Sequence, residues 1–419
     1  MNFIDLFAGA GGLSEGFIRA GYTPIAHVEM DAAACYTLRT RAAYHYLKEK
    51  GRQDIYNAYL RGEIEKRSEL YTHVSKDVLD SVINRPIGPD SNKKIHEEIG
   101  KQKRLLGVSD IDLIIGGPPC QAYSLVGRAR SANGMEGDPR NFLYKEYAGY
   151  LEVYTPKYFV FENVMGLFSA SKGQYLENMR RLFDRKGYNI ELFRVEANNF
   201  GVLQNRKRVI IIGWRKDLTP VIPDLAAIRN EADCTVKEIF ADLPQIQAGD
   251  GIDRSGTYTT PKPGRYLKEA SIRNGINILT QHVSRPHTEQ DKAIYKMAVK
   301  KWEKDNERLN YNELPDKLKT HKNRHSFFDR FKVVADNLPY SQTVVAHIAK
   351  DGHYYIHPDI NQNRSISVRE AARLQSFPDD YYFEGVKEGS SRTAAFKQIG
   401  NAVPPLMAEV IASRLRSLF

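Results

Sequence analysis

Short apolar runs alternate with helical patterns along the first half of the chain, and this alternation predicts its fold. Six strands are predicted from these runs, at residues 2–8, 24–29, 111–115, 157–164, 188–195 and 208–214. Between the first two strands, Leu13 to Ala20 has the spacing of a helix, and Gly21 closes it. Strands that alternate with helices predict an α/β fold with a doubly wound, mostly parallel sheet.

A charged stretch at residues 42–105 interrupts this alternation, and its pattern is mostly helical. Charged helical faces are usually solvated, and we interpret this stretch in that way. Within it, the segment from Lys76 to Leu79 is the candidate end of a third strand.

The pattern changes again near residue 215, where prolines and glycines begin to punctuate the chain. One charged helix at about residues 289–308 is the longest periodic element that follows. Helical periodicity returns from Val368 to Gln375 and from Pro404 to Leu418. We therefore predict three segments, namely a sheet domain at 1–214, a smaller irregular domain at 215–365, and a C-terminal segment at 366–419 that returns to the first domain.

Composition and charge narrow the classes of protein that fit. The 419 residues carry a formal net charge of +10, which favours a polyanionic partner. Three cysteines without paired spacing argue against disulfides and against a zinc site, so no metal is expected. We find no apolar run of membrane-spanning length and no signal-peptide pattern, and we expect a cytoplasmic protein without a membrane partner.

The first strand and the second strand carry the features of a nucleoside site. Glycines at positions 9, 11 and 12 follow the first strand, and Glu29 ends the second. Glycines allow a ligand to approach the backbone, and a carboxylate at this place accepts hydrogen bonds from ribose hydroxyls. The Gly-x-Gly-Gly spacing differs from the dinucleotide fingerprint, which makes a nicotinamide cofactor the poorer interpretation.

Residues 116–124 read Gly-Gly-Pro-Pro-Cys-Gln-Ala-Tyr-Ser and end a buried strand abruptly. Cys120 therefore lies where open α/β sheets bind their ligands, and a rigid Pro-Pro step suits a nucleophile held at a fixed height. On this context alone, a small buried thiol is an equally good interpretation. We interpret Cys35 and Cys234 as small buried thiols of this kind.

Further motifs occur together with this one in a single order. They are Asp-Leu-Phe-Ala-Gly-Ala-Gly-Gly at 5–12, Glu-Asn-Val at 162–164, Gln-Asn-Arg-Lys-Arg at 204–208, Arg-Glu-Ala-Ala-Arg-Leu-Gln-Ser-Phe-Pro-Asp at 369–379 and Gly-Asn-Ala-Val-Pro-Pro at 400–405. Together with the segment at 116–124, this set resembles the ordered motifs of the DNA (cytosine-5) methyltransferase family, and in particular of its bacterial and phage modification enzymes.

The resemblance implies methyl transfer to carbon 5 of a flipped-out cytosine in a specific duplex DNA sequence. Cys120 would attack carbon 6 of the ring, and Glu162, kept protonated by a poorly solvated pocket, would serve ring nitrogen 3. Arg208 would contact the base oxygen and Glu162, while Arg206 would hold the catalytic loop or the substrate backbone. Taken without the resemblance, Glu162 is interpreted as a strand-end helix cap or a surface acid, and the two arginines as solvated surface charges.

The resemblance also implies S-adenosylmethionine as the methyl donor and a Rossmann-like methyltransferase fold for residues 1–214. Within the pocket, Glu29 would bind the ribose, Met30 the adenine face and Asp77 the adenine amino group. Asp110 and Asp112 remain rivals for that last role, because a long insert separates Glu29 from Asp77. The residues implied for the donor pocket are Phe7, Gly9, Ala10, Gly12, Glu29, Met30, Asp77, Val78, Pro119, Leu143, Asn401 and Val403.

Double-stranded DNA is the implied partner, and the irregular domain at 215–365 is the implied target-recognition domain. Residues 122–143 resemble a loop that closes over DNA, although an ordinary surface loop fits the glycine-dotted pattern too. The basic and aromatic run at 321–330 is a candidate DNA contact, with a solvated face as the equal alternative. The implied DNA contacts are Gln121, Ser124, Arg128, Arg330 and Thr343.

Two other functions remain open at this stage. One is methylation of cytosine in transfer RNA, and the other is a catalytically silent DNA-binding protein of the same fold. We expect a monomer that associates with the nucleoid when bound to DNA. The resemblance leaves room for a cognate restriction endonuclease that acts independently.

Overall fold

The structure is a computed structural model, and it describes residues 1–119, 142–322, 324–325, 327–389 and 391–419. Cys120, Gln121, Ser124 and Arg128 lie outside the described residues. Across the described part of the chain, no helix combines the length and the apolar character that crossing a membrane needs.

A seven-stranded sheet forms the centre of the fold, in the order β3-β2-β1-β4-β5-β7-β6. The first five strands are parallel, and β7 runs antiparallel to both of its neighbours. The strands are β1 (Asn2–Leu6), β2 (Thr23–Glu29), β3 (Val82–Asn84), β4 (Leu113–Gly116), β5 (Tyr158–Asn163), β6 (Tyr188–Glu196) and β7 (Lys207–Arg215). The predicted α/β fold with a mostly parallel sheet is confirmed.

The helices of the first half cover both faces of this sheet, and the C-terminal helix packs on one of these faces. They are α1 (Gly12–Arg19), α2 (Ala32–Glu49), α3 (Gln53–Arg61), α4 (Arg67–Thr72), α5 (Lys76–Asp80), α6 (Pro89–Leu105), α7 (Leu143–Tyr154) and α8 (Gln174–Arg185). The rest of the described helices are α9 (Lys237–Phe240), α10 (Arg265–Glu269), α11 (Glu289–Asp305), α12 (Val368–Leu374), α13 (Arg392–Asn401) and α14 (Pro405–Leu415). A two-stranded ribbon joins β8 (Gly251–Ile252) to β9 (His282–Val283).

Alternate residues of the strands enter two different cores, as the period of two requires. Ile4 and Leu6 pack with α6, α7 and α8 on one face of the sheet. Phe3 packs on the other face with α1 and with Met407 and Ile411 of α14. The C-terminal helix is therefore part of the layer that covers the first strand.

A third core joins sequence segments on both sides of residue 365. Val236 and Leu267 from the irregular region pack with Leu374 and Phe396, together with Ala10 from the first glycine turn. A separate small core forms around Tyr295 of α11. The three predicted segments therefore share packing, and their boundaries stay a prediction.

The stretch at 42–105 differs from its prediction in two ways. Lys76 to Leu79 does not end a strand, because these residues lie in the short helix α5 and the third strand begins only at Val82. In addition, one face of α3 and α4 is buried. There, the Tyr56 hydroxyl donates to the carbonyl of Asp380 at 2.7 Å, and Tyr59 donates to Glu384 at 2.6 Å.

Candidate active site

Polar groups converge at one edge of the sheet, where the parallel strands end. Glu29 ends β2 and Glu162 lies one residue from the end of β5. Because β7 runs antiparallel to β5, its beginning lies at the same edge, and Asn163 pairs with Val209. This edge is where open α/β sheets bind ligands.

The turn after β1 is built to leave its backbone accessible. Phe7, Gly9 and Gly11 have positive φ angles of 58°, 56° and 80°. A side chain at Gly9 would meet no atom within 4 Å, so the turn faces open space there. Glycine adopts this conformation without strain, whereas Phe7 adopts it at a cost of about 1–2 kcal/mol. The geometry suits a small ligand laid against the backbone.

Glu29 fixes this turn from the neighbouring strand. Its Oε2 accepts a hydrogen bond from the Gly9 N–H at 2.8 Å, and its Oε1 accepts one from the Asp31 N–H at 2.7 Å. Burial raises the pKa of Glu29, although the backbone donors oppose that shift. Each carboxylate oxygen keeps a further lone pair, so the group can still accept from ligand hydroxyls.

Asp5, in the middle of the same edge, is a residue that the sequence analysis did not select as a site residue. It is 1% exposed, and within the described residues neither of its carboxylate oxygens has a hydrogen-bond partner. Burial, and secondarily the charge of Glu29, raise its pKa well above the usual value. A buried carboxyl without a partner is costly, and a cationic ligand beside it would offset that cost. The acid directly before a glycine turn was the available signal.

The C-terminal segment closes the turn from the other side. A Cβ at Gly12 would lie 2.1 Å from the carbonyl oxygen of Val403, so only glycine permits this contact. The Tyr381 hydroxyl donates to the carbonyl of Ala10. The structure thus brings together Gly12, Ala10 and Val403, and Asn401 is the last residue of the adjoining helix α13.

Glu162 and Arg208 form an ion pair at the centre of the edge. Arg208 Nε lies 2.6 Å from Glu162 Oε1, and the two side chains are 12% and 15% exposed. A Cβ on Gly117 would lie 2.7 Å from Glu162 Oε2, so the Gly-Gly-Pro-Pro turn passes directly beside this carboxylate. The sequence reaches Cys120 three residues later, and Pro119 is half-buried.

Arg206 is buried and ties two distant segments to the start of β7. Its guanidinium donates to the carbonyl of Val344 at 2.7 Å and to that of Ala402 at 2.8 Å. Beside it, the Thr343 hydroxyl donates to the carbonyl of Asn205. Arg206 therefore links the predicted recognition region to the segment that closes the glycine turn, while Arg208, two residues on, reaches Glu162.

Asp77 and Val78 are not brought to this edge, which corrects their predicted place in the donor pocket. Helix α5 precedes β3, so both residues lie at the amino ends of the strands, and Asp77 pairs with Lys101 at 3.5 Å. The rivals Asp110 and Asp112 precede β4 at that same distant edge. The prediction failed because it took α5 for the end of the strand.

Asn84 occupies the position that the prediction gave to Asp77. It ends β3 in register with Glu29, and its side chain donates to the carbonyls of Glu29 and Met30 at 3.1 Å each. Met30 is 67% exposed beside it. The three-residue length of β3 hid this position from the sequence pattern. Leu143 begins α7, after the segment that the structure leaves undescribed.

The described residues contain no group of three or more histidine, cysteine, aspartate or glutamate side chains placed to hold a metal ion. The polar groups at the edge are instead two carboxylates, a buried acid, an ion-paired arginine and open backbone. This set suits a nucleoside-type ligand and a proton-transfer partner.

Comparisons with known proteins identify the family of this chain. The family of C-5 cytosine-specific DNA methylases matches residues 1–66 and 84–417. A Type II methyltransferase of Bacillus paralicheniformis, M.Bpa9945I, is 40% identical over 448 aligned residues that cover 100% of this chain and 99% of the relative. M.DdeI of Desulfomicrobium norvegicum is 31% identical, over 100% of this chain and 89% of its own length.

Solved structures support the fold separately. A crystal structure described as a DNA modification methyltransferase encoded within an E. coli prophage superposes with a TM-score of 0.63 at 23% identity, covering 100% of this chain and 99% of the other. The Entamoeba histolytica methyltransferase EhMeth gives a TM-score of 0.54 at 14% identity over the same shares. The chain belongs to the C-5 cytosine-specific DNA methylase family, and it is a DNA (cytosine-5) methyltransferase.

Proposed function

We propose that this enzyme transfers the methyl group of S-adenosylmethionine to carbon 5 of a cytosine flipped out of duplex DNA, as the modification enzyme of a restriction–modification system. The relatives named above are Type II methyltransferases, which supports that biological role. The net charge of +10 suits a nucleic-acid substrate. The ion pair of Glu162 and Arg208 beside Gly117 is the observation that carries the proposal.

The residues around the glycine turn fit S-adenosylmethionine. The unpartnered carboxyl of Asp5 suits a ligand that carries an ammonium and a sulfonium, and Glu29 has lone pairs for ribose hydroxyls. The open space beside Gly9 leaves room for the ligand chain. Asn401 and Val403 would cover it from the C-terminal side. When bound, S-adenosylmethionine supplies a methyl group activated by a positively charged sulfur.

The Cys120 thiolate then acts as the nucleophile toward cytosine. It adds to carbon 6, which breaks the aromatic system and places electron density on carbon 5. Glu162 takes up a proton from water and passes it to ring nitrogen 3, so that no negative charge accumulates on the ring. Arg208 fixes the Glu162 carboxyl through the 2.6 Å contact and is placed to meet the base oxygen.

Carbon 5 takes the methyl group in this activated state, and the donor sulfur keeps the electron pair of the broken S–C bond as a neutral thioether. Water then removes the proton from carbon 5, the electrons of that bond expel the Cys120 thiolate, and the proton on nitrogen 3 returns through Glu162 to water. The ring recovers its aromaticity, and both side chains recover their starting forms. Carbon 5 of a stacked base is out of reach, so the base must first leave the duplex, at a cost of about a few kcal/mol.

Replacing the thiol tests the proposal most simply. We expect Cys120→Ser to abolish transfer of labelled methyl groups to duplex DNA, while S-adenosylmethionine binding, measured by calorimetry, persists. Cys234→Ser is the matched control, because the Cys234 thiol is half-buried and burial raises its pKa to about 11. A Cys120→Ser enzyme with full activity contradicts the covalent route. Label that enters transfer RNA and not DNA contradicts the substrate.

A further inference from the structure

Two loops of the predicted recognition region meet at a single arginine. We call the group of Arg330, His347, Asp351 and Tyr354 the Arg330 cluster. Arg330 lies in one of the two loops, and His347, Asp351 and Tyr354 lie in the other, at residues 347–354. Backbone hydrogen bonds join the two loops beside this group, from the Lys332 N–H to the carbonyl of His353 and from the Ile356 N–H to the carbonyl of Lys332, each at 2.8 Å.

The Arg330 guanidinium is held on three sides. Its Nη2 donates to His347 Nε2 at 2.7 Å and also to the Asp351 carboxylate. Its central carbon lies 4.6 Å from the centre of the Tyr354 ring. The side chain remains 16% exposed, and Nη1 has no hydrogen-bond partner among the described residues. The cluster thus fixes the plane of the guanidinium and leaves part of its donor set unused.

The cluster is anchored to the active-site edge. His347 lies in the 3-10 turn Ala346–Ala349, three residues after Val344, whose carbonyl accepts from Arg206. Three residues span at most about 10 Å, so the cluster begins close to the strand that carries Arg208. A duplex whose flipped cytosine reaches Glu162 would keep its neighbouring base pairs, spaced about 3.4 Å apart, near these loops.

A fixed guanidinium with free donors matches one base better than any other. Both Nη2 hydrogens are taken by His347 and Asp351 and Nε is buried, so Nη1 is the donor left for a base. Guanine presents two neighbouring acceptors, O6 and N7, in the major groove, whereas the other bases present one or none, so Nη1 meets an acceptor most readily at guanine. A phosphate contact needs charge and tolerates a flexible side chain, whereas base reading needs a fixed plane. We propose that Arg330 reads a guanine of the recognised DNA sequence, with Asp351, His347 and Tyr354 as positioning residues. The proposal rests on duplex DNA being the substrate.

The test compares site preference rather than activity alone. The recognised sequence is first found by bisulfite sequencing of DNA from cells that express the wild-type enzyme. Duplexes that carry each single base-pair change are then assayed for kcat/KM. We expect Arg330→Ala to lower kcat/KM on the cognate duplex about 10- to 100-fold and to lose preference at one G·C pair only. Asp351→Asn should lower the preference for the same G·C pair by a smaller factor.

Arg215→Ala is the matched control. Arg215 also pairs with an aspartate, Asp217 at 2.9 Å, but it ends β7 at the edge of the sheet remote from the site. We expect its site preference and rate to equal those of the wild type. S-adenosylmethionine binding and thermal unfolding are measured for every variant.

If Arg330→Ala lowers kcat/KM equally on all duplexes and reduces the salt dependence of DNA binding by about one charge, Arg330 contacts a phosphate. That result would overturn the proposal. If Arg330→Ala does not fold, Arg330→Lys and Asp351→Asn decide, and an unchanged site preference in both overturns it. A wild-type enzyme that methylates no DNA would instead contradict the proposed function.

Discussion

The sheet half of the molecule and the region that follows it are stabilised by different means. In the sheet half, alternating apolar residues fill two cores, the site carboxylates lie at one edge, and a buried ion pair, Arg41 with Glu15, joins α2 to α1. In the second half, buried ion pairs connect irregular segments. Arg364, Arg369 and Arg373 are each 0% exposed, and Arg373 binds both Asp242 and Asp379 at 2.6 Å.

The two halves show that an arginine's partners, and not its identity, decide its role. Arg206 and Arg208 are two residues apart at the start of β7, yet their side chains do different things. Arg206 is 1% exposed and donates to backbone carbonyls of the second half, whereas Arg208 faces the site and pairs with Glu162. The first stabilises the junction of the two halves, and the second is the one we propose to act in the reaction.

The largest effect is expected at Glu162. Glu162→Gln keeps the shape of the side chain but removes the group that we propose exchanges a proton with ring nitrogen 3. We expect kcat to fall about 10²- to 10⁴-fold, the range for losing a general acid, with DNA binding retained. Glu191→Gln, an exposed position on β6, is the control and should keep full activity. A Glu162→Gln enzyme within twofold of wild type would remove Glu162 from the mechanism.

Separate substitutions of Arg206 and Arg208 test whether the two arginines have different roles. Arg206→Ala leaves buried carbonyls of Val344 and Ala402 without their donor, and we expect the free energy of unfolding to fall by about 3 kcal/mol. Arg208→Ala should lower that free energy by less, because Glu162 stays 15% exposed to water, and it should lower kcat strongly. Urea unfolding and single-turnover methylation measure the two effects. Equal loss of stability in both variants would contradict the division of roles.

The catalytic edge could be predicted from the sequence because its residues follow local patterns. Glu29, Glu162 and Arg208 each lie at the end or beginning of an apolar run, and the predicted strands agree with the observed ones to within one or two residues. The placement of Cys120 and the other residues of the undescribed segment stays a prediction.

Each residue that was misplaced from the sequence has a physical reason for it. Asp77 was misplaced because Val78 and Leu79 resemble a strand end, while β3 itself has only three residues and makes a weak apolar signal. Buried arginines such as Arg373 look solvated in the sequence. Their burial depends on Asp242, which is 131 residues away, and no local pattern reports such a partner.

The last effect concerns pH and the core on the α1 face of the sheet, where His27 lies beside Phe3. Burial lowers the pKa of His27 to about 4, and its Nε2 lies 2.7 Å from the Ser14 hydroxyl. In the unfolded chain the His27 imidazole binds a proton near pH 6.5, whereas in the folded chain it binds one only near pH 4. Stability is therefore complete above pH 6.5 and falls by about 3 kcal/mol as pH drops to 4. His27→Asn should lose that share of the acid sensitivity in urea unfolding, and an unchanged pH profile would contradict a buried neutral His27.

The central claim is that the thiol of Cys120 bonds to the cytosine ring. A duplex that carries 5-fluorocytosine at the methylated position tests it directly, because fluorine cannot leave as the carbon 5 proton does and the adduct persists. With S-adenosylmethionine present, we predict a denaturation-resistant protein–DNA adduct that peptide mapping assigns to Cys120 and that Cys120→Ser lacks. Methylation of ordinary duplexes without any such adduct, or an adduct at another residue, would contradict the account.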